Sequence, residues 1–184
     1  MWLALYVAHE VDYTTGSSVW EITGSSNQPT SCIGAMIGAL RATGNAFCLQ
    51  AASKLSVLRL STKSYNLHLR DAGLSLDDVK LIAEVMCKGA IGKDLRLLSS
   101  SMSYNTNITD MGVQTLVGVF PHSITDLGFV GYGLGDEAGL TMLGWATTAK
   151  NLRLICIEHN NFSVTLKDEF FALGKKKPSL SVVI

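Results

Sequence analysis

The feature that most narrows the fold of this chain is a spacing that occurs twice and then starts a third time. Ile124, Leu127, Phe129, Tyr132 and Leu134 stand 3, 2, 3 and 2 residues apart, and Leu152, Ile155, Ile157, Asn160 and Phe162 reproduce those intervals 28 residues later. Leu180 and Val183 open the pattern again after a further 28 residues. A fixed period of about 20 to 50 residues marks a solenoid of stacked units, each unable to bury its apolar face alone. Pattern positions are expected to enter a shared core, while the residues between them face an open sheet surface. The same intervals predict an earlier unit at Leu67, Leu69, Ala72 and Leu74. Leu97, Ser100, Met102, Asn105 and Ile108 form another, provided that one extra residue lies between Asn105 and Ile108.

Between these strand-like segments the apolar spacing becomes helical. Val79, Ile82, Ala83 and Met86 follow the acidic pair Asp77 and Asp78, which suits the positive end of a helix dipole. Leu116 and Phe120 follow Thr109; Leu140, Leu143 and Trp145 follow Gly135 and Asp136; Leu166, Phe170 and Leu173 follow Ser163. The last helix is expected to close at Gly174, the basic run Lys175 to Lys177, and Pro178. The composite form L-x-x-L-x-L-x-x-N-x-L with a helical second half resembles the leucine-rich repeat, and its length is similar to that of the ribonuclease-inhibitor-like subtype. The ending F-F-A-L-G-K-K-K-P-S-L-S-V-V-I resembles the helix and short strand that close such proteins. The resemblance implies an α/β fold, a short leucine-rich-repeat solenoid with parallel strands on the concave face and helices on the convex face. It also implies a turn asparagine that satisfies backbone groups. Asn160 and Asn105 match that position, whereas Ala72 and Tyr132 depart from it.

The resemblance covers residues 65–184, including the closing strand; residues 1–64 read as a diverged N-terminal repeat or cap with a long polar loop. Trp2 to Val7 suits a buried strand, and Tyr13 to Thr30 is rich in Thr, Gly, Ser and Asn. Ser31 can cap a helix through about Arg41, with Ile33, Met36, Ile37 and Leu40 on one stripe. Phe47 to Ala52 reads as a short helical turn, and Lys54 to Leu60 as a strand leading into the first clear unit.

Composition excludes several classes. Fifteen basic and fifteen acidic residues cancel, so no net field draws the chain to nucleic acid or an anionic membrane. No apolar run approaches the roughly 18 residues of a membrane span. Met1 to Ala8 lacks a basic flank and runs into Glu10 and Asp12, unlike a signal peptide. Cys32, Cys48, Cys87 and Cys156 show no framework spacing and read as reduced thiols, mostly buried. An intracellular, cytoplasmic setting follows as the expectation. With 47% hydrophobic and 16% charged residues, the surface is expected to be partly covered by something else.

Catalytic and metal motifs are weak throughout. Gly131 to Gly135 lacks G-x-G-x-x-G and reads as a turn; Gly89 to Asp94 misses the P-loop spacing. His9, His68, His122 and His159 have no ligand spacing beyond the neighbours Glu158 and His159, which point to opposite faces of a strand. Ser99 to Ser103 offers no nucleophile elbow, and the sequons at Asn107 and Asn161 read as coincidental. Lys175 to Lys177 read as dipole partners.

The remaining candidate is the concave strand face, with outward residues His68 and Arg70, Ser101 and Ser103, Gly128 and Val130, and Cys156 and Glu158. The expected function is non-catalytic: a protein-interaction or scaffold module, as a subunit of a larger complex, with another protein as partner. No cofactor, small-molecule substrate, nucleic acid or membrane insertion is expected. Two alternatives stand beside it: a GTPase activator of the Ran-type leucine-rich-repeat kind, with Arg70 as its arginine, and the sensor or inhibitor domain of a larger receptor.

Overall fold

The computed structural model describes residues 32–57, 64–87 and 96–184. The readings of Trp2 to Val7 and Tyr13 to Thr30 lie outside them. Helix starts follow local chemistry. Asn45 precedes α2 (Ala46–Ser56), and its side-chain oxygen accepts from the Phe47 and Cys48 amides at 2.9 and 3.2 Å. Ser75 and Asp78 form a reciprocal capping box ahead of α3 (Leu76–Cys87), each side chain accepting the other's amide. Ser163 Oγ accepts the Leu166 amide at the start of α6 (Val164–Lys176). The remaining helices are α1 (Cys32–Ala42), α4 (Thr109–Val117) and α5 (Asp136–Thr148).

Strands β1 (Ser64–His68), β2 (Arg96–Ser101), β3 (Asp126–Gly128), β4 (Leu154–Cys156) and β5 (Ser181–Val183) form one parallel sheet in chain order. The helices follow the same order, α1 against α3, α3 against α4, α4 against α5, and α5 against α6. This is an α/β architecture of six helices and five strands among the described residues. The core lies between the two layers, with Leu67, Leu69, Phe129, Ile155 and Ile157 from the sheet side meeting Val79, Ile82, Leu116, Met142 and Phe170 from the helices. Burying each such side chain contributes about 1.5–3 kcal/mol.

Several local expectations need correction. Lys54 to Ser56 belong to α2, not to a strand, because the Asn45 cap and the buried stripe Cys48, Ala52 and Leu55 carry the helix to Ser56. The rest of that proposed strand lies outside the described residues. Leu140 is 55% exposed; α5 instead buries Ala138, Gly139, Met142, Trp145 and Ala146. Gly139 decides this orientation, since a β-carbon there would run into Leu166 Cδ2, so this face packs closely on α6. In the last strand Val182, not Val183, pairs with Ile155, and Val183 sits beside Cys156. The third start of the pattern is therefore one residue short. At the other end, Ser100 lies opposite Leu67 as the intervals give, but the β1–β2 register shifts between Tyr65 and Asn66, so that Tyr65 and not Ser64 lies opposite Leu97.

The chain leaves each of the first four strands through a left-handed residue. Asp71, Tyr104, Gly131 and His159 have φ of 50°, 65°, 74° and 57°, and each immediately precedes the position of Ala72, Asn105, Tyr132 or Asn160. For a residue bearing a β-carbon this costs about 1–2 kcal/mol. The turn is held from the next unit. Asn105 Oδ1 accepts from the Ala72 and Leu74 amides at 2.9 and 3.0 Å, while its Nδ2 donates to the Leu69 and Met102 carbonyls. Asn160 repeats the arrangement on the Tyr132 and Leu134 amides and the Phe129 and Ile157 carbonyls. Tyr132 occupies the same position with different chemistry: its hydroxyl donates to the Met102 carbonyl. It cannot serve the turn amides of the unit before it as an asparagine would. That unit carries the extra residue, folded as a single 3-10 turn (Thr106–Ile108) in which the Ile108 amide donates to the Asn105 carbonyl at 3.0 Å. Burial raises the Tyr132 phenol well above its usual pKa, so it remains a donor across the physiological range.

Ser100 stands where the other units place Leu67, Leu127 and Ile155. It is 1% exposed, and its hydroxyl has no hydrogen-bond partner among the described residues. A buried unsatisfied hydroxyl costs free energy that a methyl group does not. Ser100→Ala is expected to raise stability by about 1 kcal/mol, read as a higher urea midpoint with unchanged slope. A lower midpoint would show that the hydroxyl is in fact engaged.

Candidate interaction face

Alternation along each strand puts every second residue on the surface away from the helices. The pairing registers align these residues into rows. Asn66, Ser99, Asp126, Leu154 and Ser181 form the first; His68, Ser101, Gly128, Cys156 and Val183 form the second. Arg70, Ser103, Val130 and Glu158 continue the second row beyond the strand ends, where the Asp71, Tyr104 and Gly131 amides still donate to the Ser103, Val130 and Glu158 carbonyls. The sequence-based candidates occupy the second row and its continuation. The first row is absent from them, although the same alternation, applied two residues before His68, Ser101, Gly128 and Cys156, reaches it.

The candidates differ in accessibility. His68 and Arg70 are exposed, and Ser101, Val130, Cys156 and Glu158 are half-buried. Ser103 is only 2% exposed, and its hydroxyl accepts the Val130 amide at 3.0 Å, so it supports the face without being open to a partner. Gly128 explains the closeness of this region: a β-carbon there would lie 3.2 Å from Ser101 Oγ and 3.4 Å from Ser103 Oγ.

Two contacts order the end beside β1. His68 Nε2 lies 2.7 Å from Ser99 Oγ, and the Arg70 guanidinium sits over the Tyr104 ring at 4.4 Å from its centroid. The left-handed turn at Tyr104 presents that ring. At the other end Asp126 and Glu158 flank Cys156. Burial first, then the Glu158 and Asp126 carboxylates, push the thiol pKa up. The thiolate is the reactive form, so this cysteine is poorly suited to nucleophilic chemistry. Iodoacetamide at pH 7.5 is expected to modify Cys156 more slowly than a free-cysteine peptide, with Asp126→Asn and Glu158→Gln each accelerating it. Site-resolved mass spectrometry provides the check, and a rate equal to the peptide's would contradict the assignment.

Among the described residues no group of three His, Cys, Asp or Glu side chains is placed to hold a metal ion. No described helix is long and apolar enough to cross a membrane. A small groove of about 250 Å³ adjoins the face, lined by Phe47, Gln50, Ala51, Lys54, Leu55, Asn66 and His68.

Fold and face together define an α/β protein whose described strands present a weakly charged parallel-sheet surface. No family model matches the chain, and no curated protein matches it.

Proposed function

We propose that this chain is a short leucine-rich-repeat solenoid of the ribonuclease-inhibitor-like kind, acting as a non-catalytic module that binds another protein through its sheet face. The observation that carries this reading is the row structure itself: strands in chain order align His68, Ser101 and Cys156 in one row, and Arg70 and Glu158 lie two residues past the ends of β1 and β4. The asparagine bridges from Asn105 and Asn160 add support, since each ties its own strand–turn segment to the one before it. A rigid, broad surface with mixed polar groups suits a folded partner better than a small ligand. The test is affinity purification of the wild type, an Arg70→Glu/Glu158→Lys variant and a helix-side control such as Glu137→Lys, each followed by quantitative mass spectrometry. A partner retained by the control and lost by the face variant supports the proposal; one lost by neither, or by both, removes it.

A second reading is the GTPase activator. It requires an arginine held in place at an accessible edge, and Arg70 on Tyr104 has that arrangement. Arg70→Ala would then slow GTP hydrolysis by a cognate GTPase by about a thousand-fold or more; an unchanged rate eliminates this reading.

A further inference from the structure

We propose that the outer surface of α6 is a self-association site at which two copies of this chain meet across a two-fold axis. The site is separate from the sheet face. On the outer side of α6 and β5, a groove of about 580 Å³ is lined by Asp168, Phe171, Ala172, Gly174, Lys175 and Val182. These are the last helix and last strand of the arrangement, and no described element packs on their far side. Phe171 is 48% exposed there; Val164, at the start of the helix, is the other large apolar side chain that α6 exposes.

The order of residues along this stripe identifies the occupant. Asp168, Phe171, Ala172 and Lys175 follow one another at helical spacing on one side of α6, acid first and base last. The apolar pair lies midway between the charges, three residues from each. A two-fold contact pairs residue i with j and j with i. Two antiparallel copies of α6, crossing between Phe171 and Ala172, therefore bring each Asp168 opposite the other copy's Lys175. Asp168 and Lys175 form no ion pair with another described residue, so both charges are free for this use. The groove beside Val182 is open to receive the second copy's Phe171.

Charge reversal separates self-association from binding to an unrelated partner. The wild type is expected to show a concentration-dependent dimer by sedimentation equilibrium between about 10 μM and 1 mM. Asp168→Lys alone and Lys175→Asp alone should each weaken it about ten-fold or more, since each creates two repulsive pairs. Mixed together, these two variants should recover association as a 1:1 heterodimer, because every repulsive pairing is relieved in the mixed species. Phe171→Ala should weaken the dimer by at least about ten-fold. Circular dichroism confirms that each variant is folded. A wild type that stays monomeric throughout the range overturns the proposal. So does a dimer indifferent to these substitutions, or a mixture that associates no better than its components.

Discussion

Asn105→Ala is expected to lower unfolding free energy by about 3–5 kcal/mol, the cost of orphaning several buried backbone groups at once. Asn105 is 1% exposed, and truncation leaves the Ala72 and Leu74 amides without their acceptor and the Leu69 carbonyl without this donor, while the Met102 carbonyl keeps only the Tyr132 hydroxyl. Water cannot readily replace it in a position enclosed by two units. Asn160 makes the same four kinds of bond but is only half-buried, so Asn160→Ala should cost clearly less. Asn105→Asp tests the donor half alone. It keeps an acceptor for the two amides but turns an oxygen toward the two carbonyls, and its damage should ease as acid protonates it. Urea titration of the three variants gives the ranking. Equal losses at Asn105 and Asn160 would mean that burial does not set the strength of these bridges.

Phe129→Ala should be comparably severe, at about 3–5 kcal/mol. Phe129 is fully buried, packed near-parallel to Phe120 at 6.1 Å between ring centroids and edge-on to Tyr132 at 5.7 Å. Phe120 in turn meets Trp145, whose indole nitrogen donates to the Phe120 carbonyl at 3.1 Å. The loss therefore has two parts, the transfer free energy of the ring and the cavity that it leaves. Collapse into that cavity is opposed because Trp145 and Tyr132 are each fixed by a hydrogen bond. Phe129→Leu keeps most of the volume and should recover more than half of the loss. A thermal shift of about 2–4 °C for each kcal/mol makes the difference easy to resolve. A loss below about 1 kcal/mol would place Phe129 outside the principal core.

The helix ends show a further link between units. Asp110 accepts the Gly135 amide just before α5, and Asp136 accepts the Ser163 amide just before α6. The Ser163 hydroxyl and then its amide hold the Asp136 pKa below the usual carboxylate range. That contribution is therefore full above the ordinary carboxylate pKa and disappears as pH falls through the depressed value. Lys177 closes the opposite end, its ammonium donating to the Ala146 carbonyl at 2.6 Å at the C-terminus of α5. The basic run reads in the sequence as a partner for its own helix dipole, and in the fold one of its lysines serves the preceding helix.

Much of this arrangement is legible in the residues themselves. Strand alternation and helical spacing are local periodicities, so the chain alone assigns Leu127, Phe129, Ile155 and Ile157 inward, and likewise Leu166, Phe170 and Leu173. The extra residue after Asn105 is also visible as a break in an otherwise constant interval. Relations between units are not legible in this way, because a one-residue change in register turns a side chain to the other face. Only the fold places Val182 beside Ile155 and buries Ser103 under the Val130 amide. It likewise joins Tyr132 to Met102 across 30 residues of chain. The sequence by itself determined which residues avoid water and how often they recur. The tertiary structure decided which of them meet, because those meetings depend on distances set by packing one unit against the next.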